Sequence, residues 1–151
     1  MDIGGIIAKL FLAVLFGGAI GVERETSHKP AGLRTNILIC MSATMMMILS
    51  QLSVGGKDLG GEAMRVAAGV ITGVGFLGAG AIIQSRGAVH GLTTASTIWA
   101  VAGLGLVLGA GFYLLAAIFT AFIIITLVFF RKLEFYIARK MGRDLHPDPE
   151  R

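Results

Sequence analysis

The chain has 151 residues, 55% of them hydrophobic and only 15% charged, well under the ~25% charged residues of an ordinary soluble domain. Its net charge of +4 comes from basic residues gathered between long apolar stretches and in the tail, which excludes the continuous basic face of a nucleic-acid binder and indicates an integral membrane protein. Cys40 is the single cysteine, so an intrachain disulfide and a cysteine-cluster metal site are excluded.

In chain order, the first apolar span is read at 4–22. It does not read as a cleaved signal peptide, because basic residues follow it and further spans come after. Lys9, near its start, is expected to snorkel to the nearer interface. The polar loop 23–35 contains the helix breakers Pro30 and Gly32, and Thr35 is placed to cap the helix that follows. The second span, 36–53, has no glycine and carries Met41, Met45, Met46 and Met47. These do not share one helical face and no His or Cys ligand set joins them, so they read as packing rather than soft-metal ligands.

Gly55, Gly56, Gly60 and Gly61 make 54–64 a flexible turn, and Arg65 opens a third span ending near Ile83. A short polar loop, 84–92, contains Arg86 and His90. The fourth span is 93–108, Gly109 to Gly111 make a tight turn, and the fifth span is 112–130. The lengths lie at or near the ~17–25 residues that cross a bilayer. The fold class is therefore all-α and membrane-integral, with a five-span domain at 1–130 and a basic tail at 131–151. The alternating cationic and apolar clusters of 131–141 are expected to extend the fifth helix and then lie on an anionic leaflet, with Pro147 and Pro149 ending the tail in disorder. If the C-terminus is cytoplasmic, the inside holds Arg24, Lys29, Arg34, Arg86, Arg131, Lys132, Arg139, Lys140, Arg143 and Arg151, and the outside only Lys57 and Arg65. That asymmetry predicts the N-terminus outside and the C-terminus inside.

Gly-xxx-Gly pairs occur in spans one, three and four: Gly17 with Gly21, Gly69 with Gly73, and Gly105 with Gly109. Gly75, Gly78 and Gly80 leave further gaps in span three. These three spans are predicted to form the close-packed centre, with the second and fifth outside. Phe112, Phe119, Phe122 and Phe129 recur along one face of span five, which suits lipid or a second subunit. Trp99 lies too deep for the interfacial belt and is expected to be packed within the bundle.

Two segments echo one another: 18–20, a polar loop and Gly32-Leu-Arg-Thr35, then 80–82, a polar loop and Gly91-Leu-Thr-Thr94. They suggest a parallel two-hairpin repeat with both Gly-Leu-x-Thr turns on one rim, each at a helix N-terminus. Arg34 adds a cation to one copy and Thr93 stands in its place in the other. Glu23 and Glu25 are placed to pair with Arg34 and Arg24. Helix punctuation is the favoured role for these turns, with a ligand site as the alternative. Catalysis finds no support: there is no nucleophile beside a base and no metal-ligand spacing, and Gly73-Val-Gly-Phe-Leu-Gly78 matches a dinucleotide pattern by letters alone. No acidic residue lies well inside a span, so a carrier would lack a coupling carboxylate.

Four motifs in order, Gly-Ala-Ile-Gly-Val-Glu-Arg-Glu (18–25), Ala-Gly-Leu-Arg-Thr-Asn (31–36), Gly-Val-Gly-Phe-Leu-Gly-Ala-Gly-Ala-Ile (73–82) and Gly-Leu-Thr-Thr-Ala-Ser-Thr-Ile-Trp (91–99), resemble the membrane domain of the MgtC/SapB family over about 4–130. The resemblance implies a multi-pass protein of the bacterial inner membrane, linked to adaptation to low magnesium and to virulence. It further implies regulation, in particular restraint of the ATP synthase through its membrane sector. Matching motif positions are Glu23, Arg24, Gly32, Leu33, Arg34, Thr35, Arg65, Gly73, Gly75, Phe76, Gly78, Gly80, Gly91, Leu92, Thr94 and Trp99. Position 93 is Thr where virulence-associated members tend to have Asn. Better-known members continue into an ACT-like cytoplasmic domain, whereas this sequence stops at Arg151, so functions seated there are not expected here. The sequence points to a non-enzymatic, cofactor-free regulator embedded in the lipid bilayer, homo-oligomeric with a dimer favoured, that binds another membrane protein. Its rival is a homo-oligomeric ion or solute channel or carrier, with magnesium as a candidate.

Overall fold

The computed structural model describes residues 2–53, 59–85 and 88–141. Its elements are α1 (Ile3–Thr26), α2 (Leu33–Ser53), α3 (Leu59–Gly80), β1 (Ile83–Ser85), β2 (Ala88–His90), α4 (Leu92–Ala110) and α5 (Tyr113–Ile125). A π-helical segment, Thr126–Phe130, carries α5 into α6 (Arg131–Lys140). Five helices are long and apolar enough to cross a membrane: Ile3–Thr26, Leu33–Ser53, Ala63–Gly80, Leu92–Ala110 and Tyr113–Lys140.

The expected spans thus hold, with shifted ends. Helix α3 begins at Leu59 and takes Gly60 and Gly61 into its first turn, although glycine costs ~1 kcal/mol against alanine in a helix. It stops at Gly80, and the expected polar loop after it contains an antiparallel hairpin pairing Ile83 with His90 and Gln84 with Val89. The expected turn at 109–111 is a helix stop. Gly111 adopts φ +94, its N–H donates to Leu108 O at 2.9 Å, and the Phe112 N–H donates to Val107 O at 3.1 Å, the paired closure that a left-handed glycine permits. Gly55, Gly56, Lys57, Arg86, Arg143, Pro147, Pro149 and Arg151 lie outside the described residues.

The expected centre is corrected. Most of α4 and much of α2 are enclosed (56% and 39% of their apolar windows), against 6% for α3. Helix α2 lies against α1 on one side and α4 on the other. A Cβ on Gly17 would sit 2.9 Å from Asn36 O and from Cys40 Cβ, and one on Gly21 2.7 Å from Leu33 Cα. From the other side, a Cβ on Gly105 would run into Cys40 O and come 2.8 Å from Ala43 Cβ, while one on Gly109 would lie 2.6 Å from Thr44 O. The Thr44 hydroxyl seals the second contact by donating to Gly105 O at 2.9 Å. Glycine pairs let a neighbouring backbone approach, and here two such pairs clasp the one helix between them. The glycine-free α2 is the ridge that fills both grooves.

By contrast, Gly69, Gly73, Gly75 and Gly80 have nothing within 4 Å of a Cβ position, and only Gly78 touches a neighbour, Ala95, at 3.6 Å. The main core joins Ala13, Ile20, Cys40, Val101, Leu104, Leu108, Ala116 and Ile123. Phe112, Phe122 and Phe129 face outward, whereas Phe119 packs partly against that core. Trp99 is 52% exposed on the outer face of α4 rather than packed within the bundle.

Candidate functional site

The motif residues cluster at the end of the bundle where α1 turns into α2 and the hairpin joins α3 to α4. In the last turns of α1, Glu23 lies largely under cover, 3.5 Å from Arg24 Nε. Its Oε1 accepts from the Ser27 hydroxyl at 2.8 Å and stands 3.7 Å from Arg131 Nη1. Arg131 also donates to the Ser27 hydroxyl oxygen. The network therefore ties the end of α1 to the start of α6, more than a hundred residues on. Arg24 is buried with 3% exposure, and Glu23 beside it supplies the counter-charge that a buried guanidinium needs.

Glu25 acts separately. Its Oε2 accepts the Leu33 N–H at 3.1 Å and so caps α2, where Thr35 had been expected to do so; Thr35 is exposed. A Cβ on Gly32 would fall on that carboxylate, which would have to swing aside from the cap. Arg34, expected to pair with the glutamates, is exposed and makes no ion pair among the described residues. Losing a helix cap costs ~1 kcal/mol, so Glu25→Ala is expected to lower the thermal unfolding midpoint in detergent. Glu25→Gln, which keeps an acceptor oxygen, should recover most of that loss.

Asn36 escaped the sequence reading as a site residue. It is fully buried, and its Nδ2 donates to Ala31 O at 2.6 Å and Gly32 O at 2.9 Å. That clamp holds a loop in which His28 and Ala31 take positive φ of 53° and 57°. The available signal was an amide side chain one turn into an apolar helix, where it must find partners.

The second Gly-Leu-x-Thr turn differs from the first. Gly91 has φ +86 and lies so close to α3 that a Cβ would strike Ala81 O. Among the described residues no side chain caps α4, and its first backbone bond runs from Ala95 N to Gly91 O at 2.8 Å. Leu92 and Thr93 are exposed. Thr94 is 1% exposed, and its Oγ1 has no hydrogen-bond partner. Thr93, Ser96 and Trp99 continue as an outward stripe on α4. Arg65 sits in the early part of α3, at the opposite end of the bundle, so it does not join the other motif residues.

Lys9 also lies at that opposite end. It is 5% exposed, and its ammonium donates to Gly109 O at 2.6 Å and to Gln51 Oε1 at 3.4 Å. The expected snorkelling gives way to a nearer partner, because the last carbonyls of α4 lack donors of their own and carry the negative end of the helix dipole.

A bundle of five helices long and apolar enough to cross a membrane defines a multi-pass α-helical membrane protein. The chain belongs to the MgtC family, whose sequence profile matches residues 10–136. It is 40% identical over 144 residues to the "Putative magnesium transporter YhiD" of Escherichia coli K12, covering 93% of this chain and 66% of that protein. It is 41% identical over 144 residues to "Protein SapB" of Bacillus subtilis, covering 92% and 60%. It is 45% identical over 112 residues to "Protein MgtC" of Brucella abortus, covering 74% and 45%. The chain thus spans between about half and two thirds of these relatives' lengths. No solved structure matches it.

Proposed function

We propose that this protein is a regulator that works by binding another integral membrane protein, with the membrane sector of the ATP synthase as the candidate partner and low magnesium as the setting. The observation that carries this reading is the outward face of α3. Gly69, Gly73 and Gly80 meet nothing within 4 Å, and Phe76 among them is 82% exposed. Each glycine weakens a helix by ~1 kcal/mol and returns that cost only where another backbone comes close. Beside this face, between α2 and α3, runs an apolar cleft of about 370 Å³ lined by Leu38, Ala43, Met46, Val70 and Val74. Such a surface suits a partner helix or a second copy better than an ion path.

The rival reading, a carrier, takes its support from the name given to the Escherichia coli relative. Against it stands the lack of any acidic residue well inside a span. Proton pumping into inverted bacterial vesicles separates the two. With the protein present, the regulator reading expects the ATP-driven gradient to fall while the gradient driven by a respiratory substrate is unchanged. A fall in both identifies a leak or carrier and overturns the regulator reading. No change in either removes the ATP synthase as the target.

A further inference from the structure

The two Gly-Leu-x-Thr turns lie at one end of the bundle, each opening a long helix, yet among the described residues a side chain caps only the first. At α2 the Glu25 carboxylate sits on the Leu33 amide at 3.1 Å. At α4 the N-cap residue is Gly91, and among the described residues no side chain caps the helix. Backbone bonding starts with Ala95 N to Gly91 O, so the amides of Leu92, Thr93 and Thr94 precede the first intrahelical bond and face out of the helix end.

A second observation lies under the same turn. Among the buried hydroxyls, that of Ser50 has no partner, whereas those of Thr44, Thr97 and Thr120 each reach the carbonyl four residues back, Thr44 sharing its hydrogen with Gly105 O. Thr94, 1% exposed, does not, and its Oγ1 is buried without a partner. Helix side chains lean toward the N-terminus, so the Thr94 side chain leans toward the first turn, from which the three amides project. Leu92 and Thr93 are exposed, so the turn is open to a ligand.

We propose that the start of α4 binds a phosphate group, held by the free amides of the first turn and the Thr94 hydroxyl. Amides at a helix N-terminus and the positive end of its dipole favour an oxyanion. Glu25 marks the equivalent place at α2 with the chain's own carboxylate. A phosphate, with several acceptor oxygens, suits this larger donor set better than a carboxylate does. The proposal is independent of whether the protein acts on a partner.

The test uses the whole chain in detergent, titrated with inorganic phosphate and followed by thermal unfolding and by ³¹P line broadening. A parallel arm compares nanodiscs of phosphatidylglycerol with nanodiscs of phosphatidylcholine. Stabilisation by inorganic phosphate identifies a soluble phosphate ligand, and stabilisation by phosphatidylglycerol alone identifies a lipid headgroup. In either case Thr94→Val should weaken binding about tenfold, the scale of one charge-assisted hydrogen bond. Thr93→Asp provides the second variant. It is an exposed position where an acid favours the helix end, so the protein should fold while its carboxylate competes with the phosphate and abolishes the gain. The proposal is overturned if neither probe stabilises the chain, or if both variants respond as the parent does.

Discussion

Gly105→Leu is expected to stop the bundle from assembling, while Gly73→Leu, a sequence-equivalent change in another Gly-xxx-Gly pair, leaves the fold intact. The difference follows from what each position faces. A Cβ at 105 enters the Cys40 carbonyl and crowds Ala43, and these belong to the helix through which α1 and α4 are joined. A backbone atom gives way less readily than a side chain, so the cost lies above the ~1–3 kcal/mol of ordinary overpacking. At 73 a Cβ meets nothing within 4 Å, and the cleft of about 370 Å³ that this glycine lines has room for the rest of the side chain. Gly73→Leu should therefore give normal expression and a monodisperse monomer peak, and lose any association through α3. Size-exclusion chromatography in mild detergent and crosslinking in membranes read both outcomes. A collapse of Gly73→Leu with survival of Gly105→Leu would reverse the helix arrangement.

Lys9→Met is expected to destabilise the protein by about 2 kcal/mol, within the ~1.5–3 kcal/mol range for a hydrogen bond to a charged group. Methionine keeps the apolar stem and removes the ammonium that donates to Gly109 O at 2.6 Å. The end of α4 then loses both a donor and the cation that complements its dipole. Thermal unfolding of the purified variant checks this. An unchanged midpoint would mean that the ammonium reaches water and contributes nothing to the helix end.

The spans were legible because apolar length alone defines them, and the Gly111 stop was legible because glycine readily takes the left-handed φ that closes a helix. Which helices meet was not. Gly69 and Gly73 look like Gly105 and Gly109 in sequence, and only the fold shows that one pair faces α2 and the other faces outward. A small residue marks a place where close approach is allowed, without naming the neighbour. Trp99 and Lys9 were misread for a related reason. Depth along a helix follows from residue number, but the side of the helix and the nearest carbonyl depend on how its neighbours are rotated. Glu23 and Glu25 were expected to pair with Arg34 and Arg24, yet Glu23 lies beside Arg24, and its partner across the fold, Arg131, lies too far along the chain to be paired by spacing. The equivalence of the two Gly-Leu-x-Thr turns held only in letters, since Glu25 serves one of them and no side chain serves the other.

The run from Tyr113 to Lys140 is 28 residues of continuous helix, roughly 40 Å long at ~1.5 Å per residue, against a hydrocarbon layer of ~30 Å. Standing upright, a helix of that length outreaches the oily layer by roughly 10 Å and forms a mast. The grip of Arg131 on Ser27 and Glu23 sets the compass bearing of that mast where it emerges. Anything fastened past Met141, natural or grafted, would be carried at a set height and heading relative to the bundle, so a fluorophore pair placed on residue 140 and on the α1–α2 loop should report one narrow distance instead of the broad spread of a flexible leash.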